Sequence, residues 1–121
     1  MAYADGFLIP VPRRNVAAYK RIAARAGRIW KDHGALEYRE CLGDDLNIKG
    51  MGLPFPKRVR VKPGETVVFS WIVYRSRAHR DAVNKRVMKD PRMLKMMNDP
   101  KAMVFDGKRM SFGGFKVIVD L

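Results

Sequence analysis

The chain holds one cysteine, two histidines, 12 acidic residues against 25 basic ones, and no long apolar run. Each scarcity excludes something. Cys41 alone cannot close an intramolecular disulfide, and no metal-binding cluster surrounds it in the sequence, so a reducing compartment and a cytoplasmic location are expected. A bilayer crossing needs about 20 consecutive apolar residues, and the opening MAYADGFLIPVPRR lacks the basic start and sustained apolar stretch of a leader. A membrane is therefore not an expected partner. Neither a metal nor a cofactor signature is present, and no solenoid repeat or low-complexity tract interrupts the chain.

What is present suits one compact domain over residues 1–121, since 121 residues at 47% hydrophobic can bury a core without metal or disulfide support. The formal charge of +13 favours polyanions through counterion release, which is a bias and not an activity.

Apolar and aromatic residues from Ala2 to Ile9 read as a first strand, bounded by Pro10 and Pro12, which cannot donate to a ladder. From Pro12 to His33, the positions Val16, Tyr19, Ile22, Ala23, Ala26, Ile29, Trp30 and His33 advance by threes and fours. That is the signature of a helix with one buried stripe, and Gly34 supplies the stop. Ala35 to Cys41 alternates as a second strand, with Glu37 and Arg39 on one side and Leu36 and Tyr38 on the other. Gly43 to Gly64, rich in glycine and proline, is expected to be a long functional or mobile loop in which Val59 and Val61 form at most a short strand. Glu65 to Tyr74 is strongly β-prone and apolar on both alternating faces. Ser76 is a candidate cap for a second helix reaching about Asp90, after which RMLKMM continues as another helical turn. Met110 to Val119 reads as a fourth strand, with Gly113 and Gly114 marking a bend or bulge.

Two strand-helix-strand halves in succession predict an α+β, ferredoxin-like βαββαβ fold: a four-stranded antiparallel sheet with both helices on one face. A third strand apolar on both faces then leaves a large bare patch, which soluble proteins seldom expose. Face-to-face pairing of two sheets covers it, so a homodimer through the sheet faces, a dimeric α/β barrel, is expected. Each helical region carries a charge of about +6, with Arg14, Arg21, Arg25 and Arg28 opposite the buried stripe of the first helix. This places a basic surface on the outer, helical face, with nonspecific polyanion contact as the expected consequence.

Few side chains carry chemistry. His33 and His79 are the only groups that titrate near neutrality without a large shift. His33 ends the first helix, where a partly charged imidazole stabilises the C-terminus; it is also a candidate ligand contact. His79 opens the second helix, where the dipole disfavours its charged form, making it a candidate base. Tyr38 and Glu40 share one side of the second strand, so Glu40 is either a carboxylate facing a cleft or an edge charge paired with a cation. Trp71 with Phe69 lines a cavity, a core or a dimer interface. Asp5 and Lys116, charges within apolar strands, suggest a cross-strand ion pair. Met88, Met93, Met96, Met97 and Met103 suggest core packing, or an adaptable lining for an apolar ligand.

The segments YADGFLIPVP, WKDHGALEYREC, VVFSWIVYRSRAHRD, VMKDPR and FDGKRMSFGGFKVIVDL together resemble the YbaA-like bacterial family, over nearly the whole chain. That family looks like a branch of the dimeric α/β-barrel superfamily. The superfamily includes cofactor-free monooxygenases, haem-degrading enzymes and muconolactone isomerase-like proteins, with pockets between the sheet and its helices. The resemblance thus implies a small-molecule-binding or cofactor-independent enzymatic module, with a pocket lined by some of Tyr38, Glu40, Trp71, His79 and His33. The alternative is nucleic-acid or polyanion binding through the arginine-rich helix faces, although the aromatics that would stack on bases lie in buried-looking segments.

Overall fold

A computed structural model describes all of residues 1–121. Strand β1 (Tyr3–Pro12) leads through a 3-10 turn into helix α1 (Val16–Asp32) and strand β2 (Glu37–Leu42). A short helix α2 (Phe55–Arg58) precedes strand β3 (Glu65–Tyr74), helix α3 (Arg77–Lys89), helix α4 (Pro91–Met97) and strand β4 (Ser111–Lys116). The sheet is antiparallel throughout, in the order β2-β3-β1-β4. The predicted order of elements holds, including the extra helical turn that Pro91 begins with Asp90 as its cap.

Four local expectations need correction. β1 runs through both prolines instead of stopping at Ile9. Arg13 N–H donates to the Gly64 carbonyl on the β3 side, while Val117 N–H donates to Ala2 on the β4 side. Odd-numbered residues of β1 therefore bond β3 and even-numbered ones face β4. Since β4 ends opposite Leu8, Pro10 and Pro12 lack their N–H only where no strand asks for it. Val59 and Val61 form no strand; Pro54 and Pro56 set the first turn of α2, whose backbone bonds run on to Val59 and Val61. Gly113 and Gly114 make no bulge, because the pairing with Gly6 and Asp5 stays in register. A side chain at Gly114 would instead meet the Tyr3 hydroxyl and ring first, and Arg80 Nη2 at 2.9 Å. The methionines divide: Met93 is buried and Met96 half-buried, whereas Met88, Met97 and Met103 are exposed.

Register sorts the sheet into two faces. Tyr3, Asp5, Phe7, Ile9 and Val11 of β1 share the helix-facing side with Val68, Ser70, Ile72 and Tyr74 of β3 and with Tyr38 and Glu40 of β2. Two buried clusters form there, one of Ile29, Ile72, Tyr74, Val83, Val87 and Met93, the other of Ile9, Val11, Tyr19, Ala23 and Val68, with Phe7 packed against both. On the opposite side lie Leu8, Val67, Phe69, Trp71, Val73 and Phe115. The segment from Gly43 to Gly64 lies against part of this side: Gly43 N–H bonds the Val67 carbonyl, and Phe55 of α2 sits 6.1 Å from Phe69. Phe69 still exposes 43% of its surface and Phe115 63%.

Helix α1 ends where Gly34 takes φ +110°, a conformation costly to any other residue. Gly27 serves a different need, close approach: a methyl group there would stand 2.7 Å from the Tyr38 ring. Overpacking of this kind costs roughly 1–3 kcal/mol, against about 1 kcal/mol that alanine gains in helix propensity. Because the Tyr38 hydroxyl is held by Glu40, the ring cannot swing aside freely. Gly27→Ala is therefore expected to lower stability by about 1 kcal/mol in urea unfolding, while Gly107→Ala, with no atom within 4 Å, stays at the parent value.

Candidate functional site

Between the helix-facing side of the sheet and the helices lies a cavity of about 510 Å³, lined by 21 residues of which 14 are hydrophobic. The two buried clusters contribute Ile9, Tyr19, Ala23 and Ile72 to its wall, and the exposed lining residues Met88 and Phe112 mark the side on which it meets solvent. Its few polar groups gather at two poles.

The first pole is built on β2. Tyr38 and Glu40, two apart on one strand, project toward α1, from which Tyr19 descends one turn before Ala23. Tyr19 Oη donates to Glu40 Oε1 and Tyr38 Oη donates to Glu40 Oε2, both at 2.8 Å. Burial, reinforced by the Glu40 charge, pushes both phenols well above their ordinary range, so they remain protonated donors. Glu40 also borders a smaller opening between α1 and β2, with Lys20 and Cys41.

The second pole is built on β1 and α3. Asp5 is buried, and desolvation raises its carboxyl pKa despite the opposing influence of Arg80. Arg80 Nη1 stands 3.8 Å from Asp5 Oδ1, beyond hydrogen-bond length. The guanidinium lies 4.9 Å from the centroid of Tyr3 and donates through Nη2 to its hydroxyl at 3.1 Å. Its Nε lies 3.2 Å from Asp81 Oδ1, yet makes no aligned hydrogen bond and is buried. Beside this pair, Asn84 Oδ1 accepts from Trp30 Nε1 at 3.0 Å and from Tyr74 Oη at 3.2 Å, tying α1, β3 and α3 together.

The residues singled out in the sequence are thus only partly brought together. Tyr38 and Glu40 meet in the cavity wall. Trp71 borders the cavity, but strand alternation sends its indole to the far side of the sheet, where Nε1 donates to Glu37 Oε1 at 3.0 Å. Neither histidine lines the cavity. His79 is turned back on its own helix start: Nδ1 accepts the Arg75 N–H, the backbone N–H donates to Ser76 Oγ, and the ring meets Tyr74 edge-on at 6.0 Å. Burial, with Arg75 and Arg86 nearby, lowers its pKa and favours the neutral imidazole. His33 caps α1 and bonds Asp90 Oδ2 through Nε2 at 2.8 Å. Lys116 does not pair with Asp5, because the residue opposite Asp5 on β4 is Gly114; its missing side chain admits Arg80 from α3 instead. Tyr19, Arg80 and Asn84 were not singled out as site residues. The one signal toward this pole was Asp5, a charge in an apolar strand. On the outer face, Arg21, Arg25 and Arg28 converge with Lys101 on a shallow groove, while Arg14 lies outside it in the turn before α1.

An α+β protein of the ferredoxin-like class, with a cavity between sheet and helices, is what this architecture and site define. The chain belongs to the family described as Protein of unknown function (DUF1428), whose model matches residues 2–107. It is 43% identical over 120 residues to Uncharacterized protein YbaA of Escherichia coli K12, covering 99% of both chains. Among solved structures it is similar to SnoaB, a cofactor-independent oxygenase from Streptomyces nogalater (TM-score 0.60, 14% identity, 99% of this chain and 96% of that one). It is also similar to a dimeric ferredoxin-like protein from an uncultured marine organism (TM-score 0.52, 12% identity, 100% of both chains). No helix is long and apolar enough to cross a membrane.

The His33–Asp90–Arg92 cluster yields a pH prediction. Hydrogen bonds from Arg92 and then His33 hold the Asp90 carboxyl far below the ordinary carboxylate range. A group depressed in the folded state stabilises fully above its unfolded pKa of about 4 and loses that contribution as pH falls further. Asp90→Asn is expected to lower the urea midpoint at pH 7, with the gap to the parent protein narrowing below about pH 4.

Proposed function

We propose that this protein is a small-molecule-binding module of the cofactor-independent enzymatic type, with its ligand in the cavity between sheet and helices. The observation that supports this most is the cavity itself: about 510 Å³, mostly apolar, with a few polar groups held at its ends. That combination is usual for ligand sites, which run roughly 300–1,000 Å³ with a small number of orienting polar groups. Glu40 with Tyr38 forms one orienting pole. SnoaB offers a precedent for cofactor-free oxygenation on a similar fold, and fold similarity transfers chemistry weakly, so the cavity carries the reading. The free Cys41 suits a cytoplasmic setting.

Screening the purified protein against a metabolite library by thermal shift is expected to reveal stabilising compounds. At about 100-fold over Kd, binding stabilises by roughly 2.7 kcal/mol, a rise of several degrees in Tm. Such binding changes little between low and high salt. If no compound shifts Tm or turns over, the reading is wrong.

A second reading is favoured by the groove where Arg21, Arg25, Arg28 and Lys101 converge: nonspecific polyanion contact on the helical face. Binding there falls steeply with salt, which separates it from cavity occupancy.

The partly exposed apolar side around Phe69, Trp71 and Phe115 supports a second copy as partner, joined sheet face to sheet face. Sedimentation is expected to give a dimer for the parent chain and a shift toward monomer for Phe69→Lys. A monomeric parent chain in dilute solution sinks this pairing.

A further inference from the structure

The cavity has a second pole that remains chemically unfinished. Asp5 on β1 and Arg80 on α3 both line it, the first buried and the second half-buried, yet their facing atoms stand 3.8 Å apart. Burying a carboxylate beside a guanidinium without a direct hydrogen bond is costly, because the carboxylate loses water without gaining from its cation the bond that compensates. No side chain of β4 intervenes, since the Tyr3 hydroxyl and Arg80 Nη2 occupy the place that a side chain at Gly114 would take. The guanidinium has donors to spare: Nη2 bonds Tyr3, whereas the buried Nε makes no bond. Tyr74 and Asn84 lie near enough to favour the charge on Asp5 as hydrogen-bonding neighbours, although the Tyr74 hydroxyl also donates to Asn84 Oδ1, which accepts from Trp30 as well.

Resting on the reading of the cavity as a ligand site, we propose that the Asp5–Arg80 gap recognises a hydroxyl group on an otherwise apolar, ring-sized ligand, an alcohol or a phenol. One oxygen about 2.8 Å from each partner spans a separation of this size. A hydroxyl donates to Asp5 and accepts from Arg80 through the same atom. A carbonyl satisfies Arg80 and repels Asp5; an ammonium does the reverse; a carboxylate meets the Asp5 charge head-on. The surrounding wall, with Phe7, Trp30, Phe105 and Phe112, suits an aromatic or alicyclic body.

Three probes of nearly one shape test this at pH 7: 2-naphthol, its methyl ether 2-methoxynaphthalene, and naphthalene, each titrated by fluorescence. The expected result is 2-naphthol binding at least about tenfold tighter than either of the others, the margin ordinary for one buried charge-assisted hydrogen bond. Asp5→Asn is expected to reduce that preference to within about threefold, and Lys116→Ala, on the neighbouring strand, to leave it intact. Should Asp5→Asn fail to fold by circular dichroism, the comparison of naphthol with its ether on the parent protein decides alone. Equal binding of all three probes overturns hydroxyl recognition while leaving the cavity a ligand site; survival of the preference in Asp5→Asn overturns the assignment to this pair. Absence of binding by all three removes the hydroxyl proposal together with the cavity reading beneath it.

Discussion

Two carboxylates in the middle rows of the helix-facing side of the sheet set the terms for everything packed above them. Asp5 lies beside Ile72 and Tyr38 in one row, and Glu40 beside Ser70 and Phe7 in the next. A carboxylate shut against a helix with no donor near it is costly. Each is therefore faced by a polar side chain from the helix layer, Glu40 by Tyr19 of α1 and Asp5 by Arg80 of α3, while the two buried clusters pack around them. The cavity lies between these two polar positions.

The two poles answer the same problem in different ways. Around Glu40 the answer is complete, with one phenol on each oxygen, and the tyrosines bind α1 to β2 through a charged centre. Gly27 makes that arrangement sterically possible by letting the Tyr38 ring lie directly under the helix. Around Asp5 the answer is partial, with a cation nearby and no bond closed to it. A completed network holds shape; an incomplete one retains capacity for another molecule.

Much of the fold was legible because its signals are local and repetitive. The three-and-four spacing from Val16 to His33 has one helical solution, and Glu65 to Tyr74 has one extended solution. Boundaries failed where a residue's meaning depends on what lies beside it. Pro10 and Pro12 end a strand only if a neighbour needs their N–H, and no neighbour does. Gly113 and Gly114 signal a bulge in isolation, but in context one of them clears a path for Arg80. The site was legible in part for the same reason: Tyr38 and Glu40 share a strand, so their common face follows from alternation alone. His79 drew notice for its chemistry, yet its ring is occupied by backbone at its own helix start, and the side chains next along α3, Arg80 and Asn84, reach the cavity instead. Asp5 was conspicuous as a charge, but its partner arrives from a helix remote in sequence, which strand pattern does not encode.

The proline pair near the end of β1 has a further effect. Beyond Leu8 the side that β4 has vacated is not left bare: Pro10 and Val11 are fully buried, residues 107–109 contact β1, and Val104, Phe105 and Met110 pack against the cluster that holds Ile9 and Val11. An irregular covering of this kind cannot supply a regular row of carbonyls. Because Pro10 and Pro12 carry no amide hydrogen, the sheet passes from ladder to loose chain there without stranding a donor away from water.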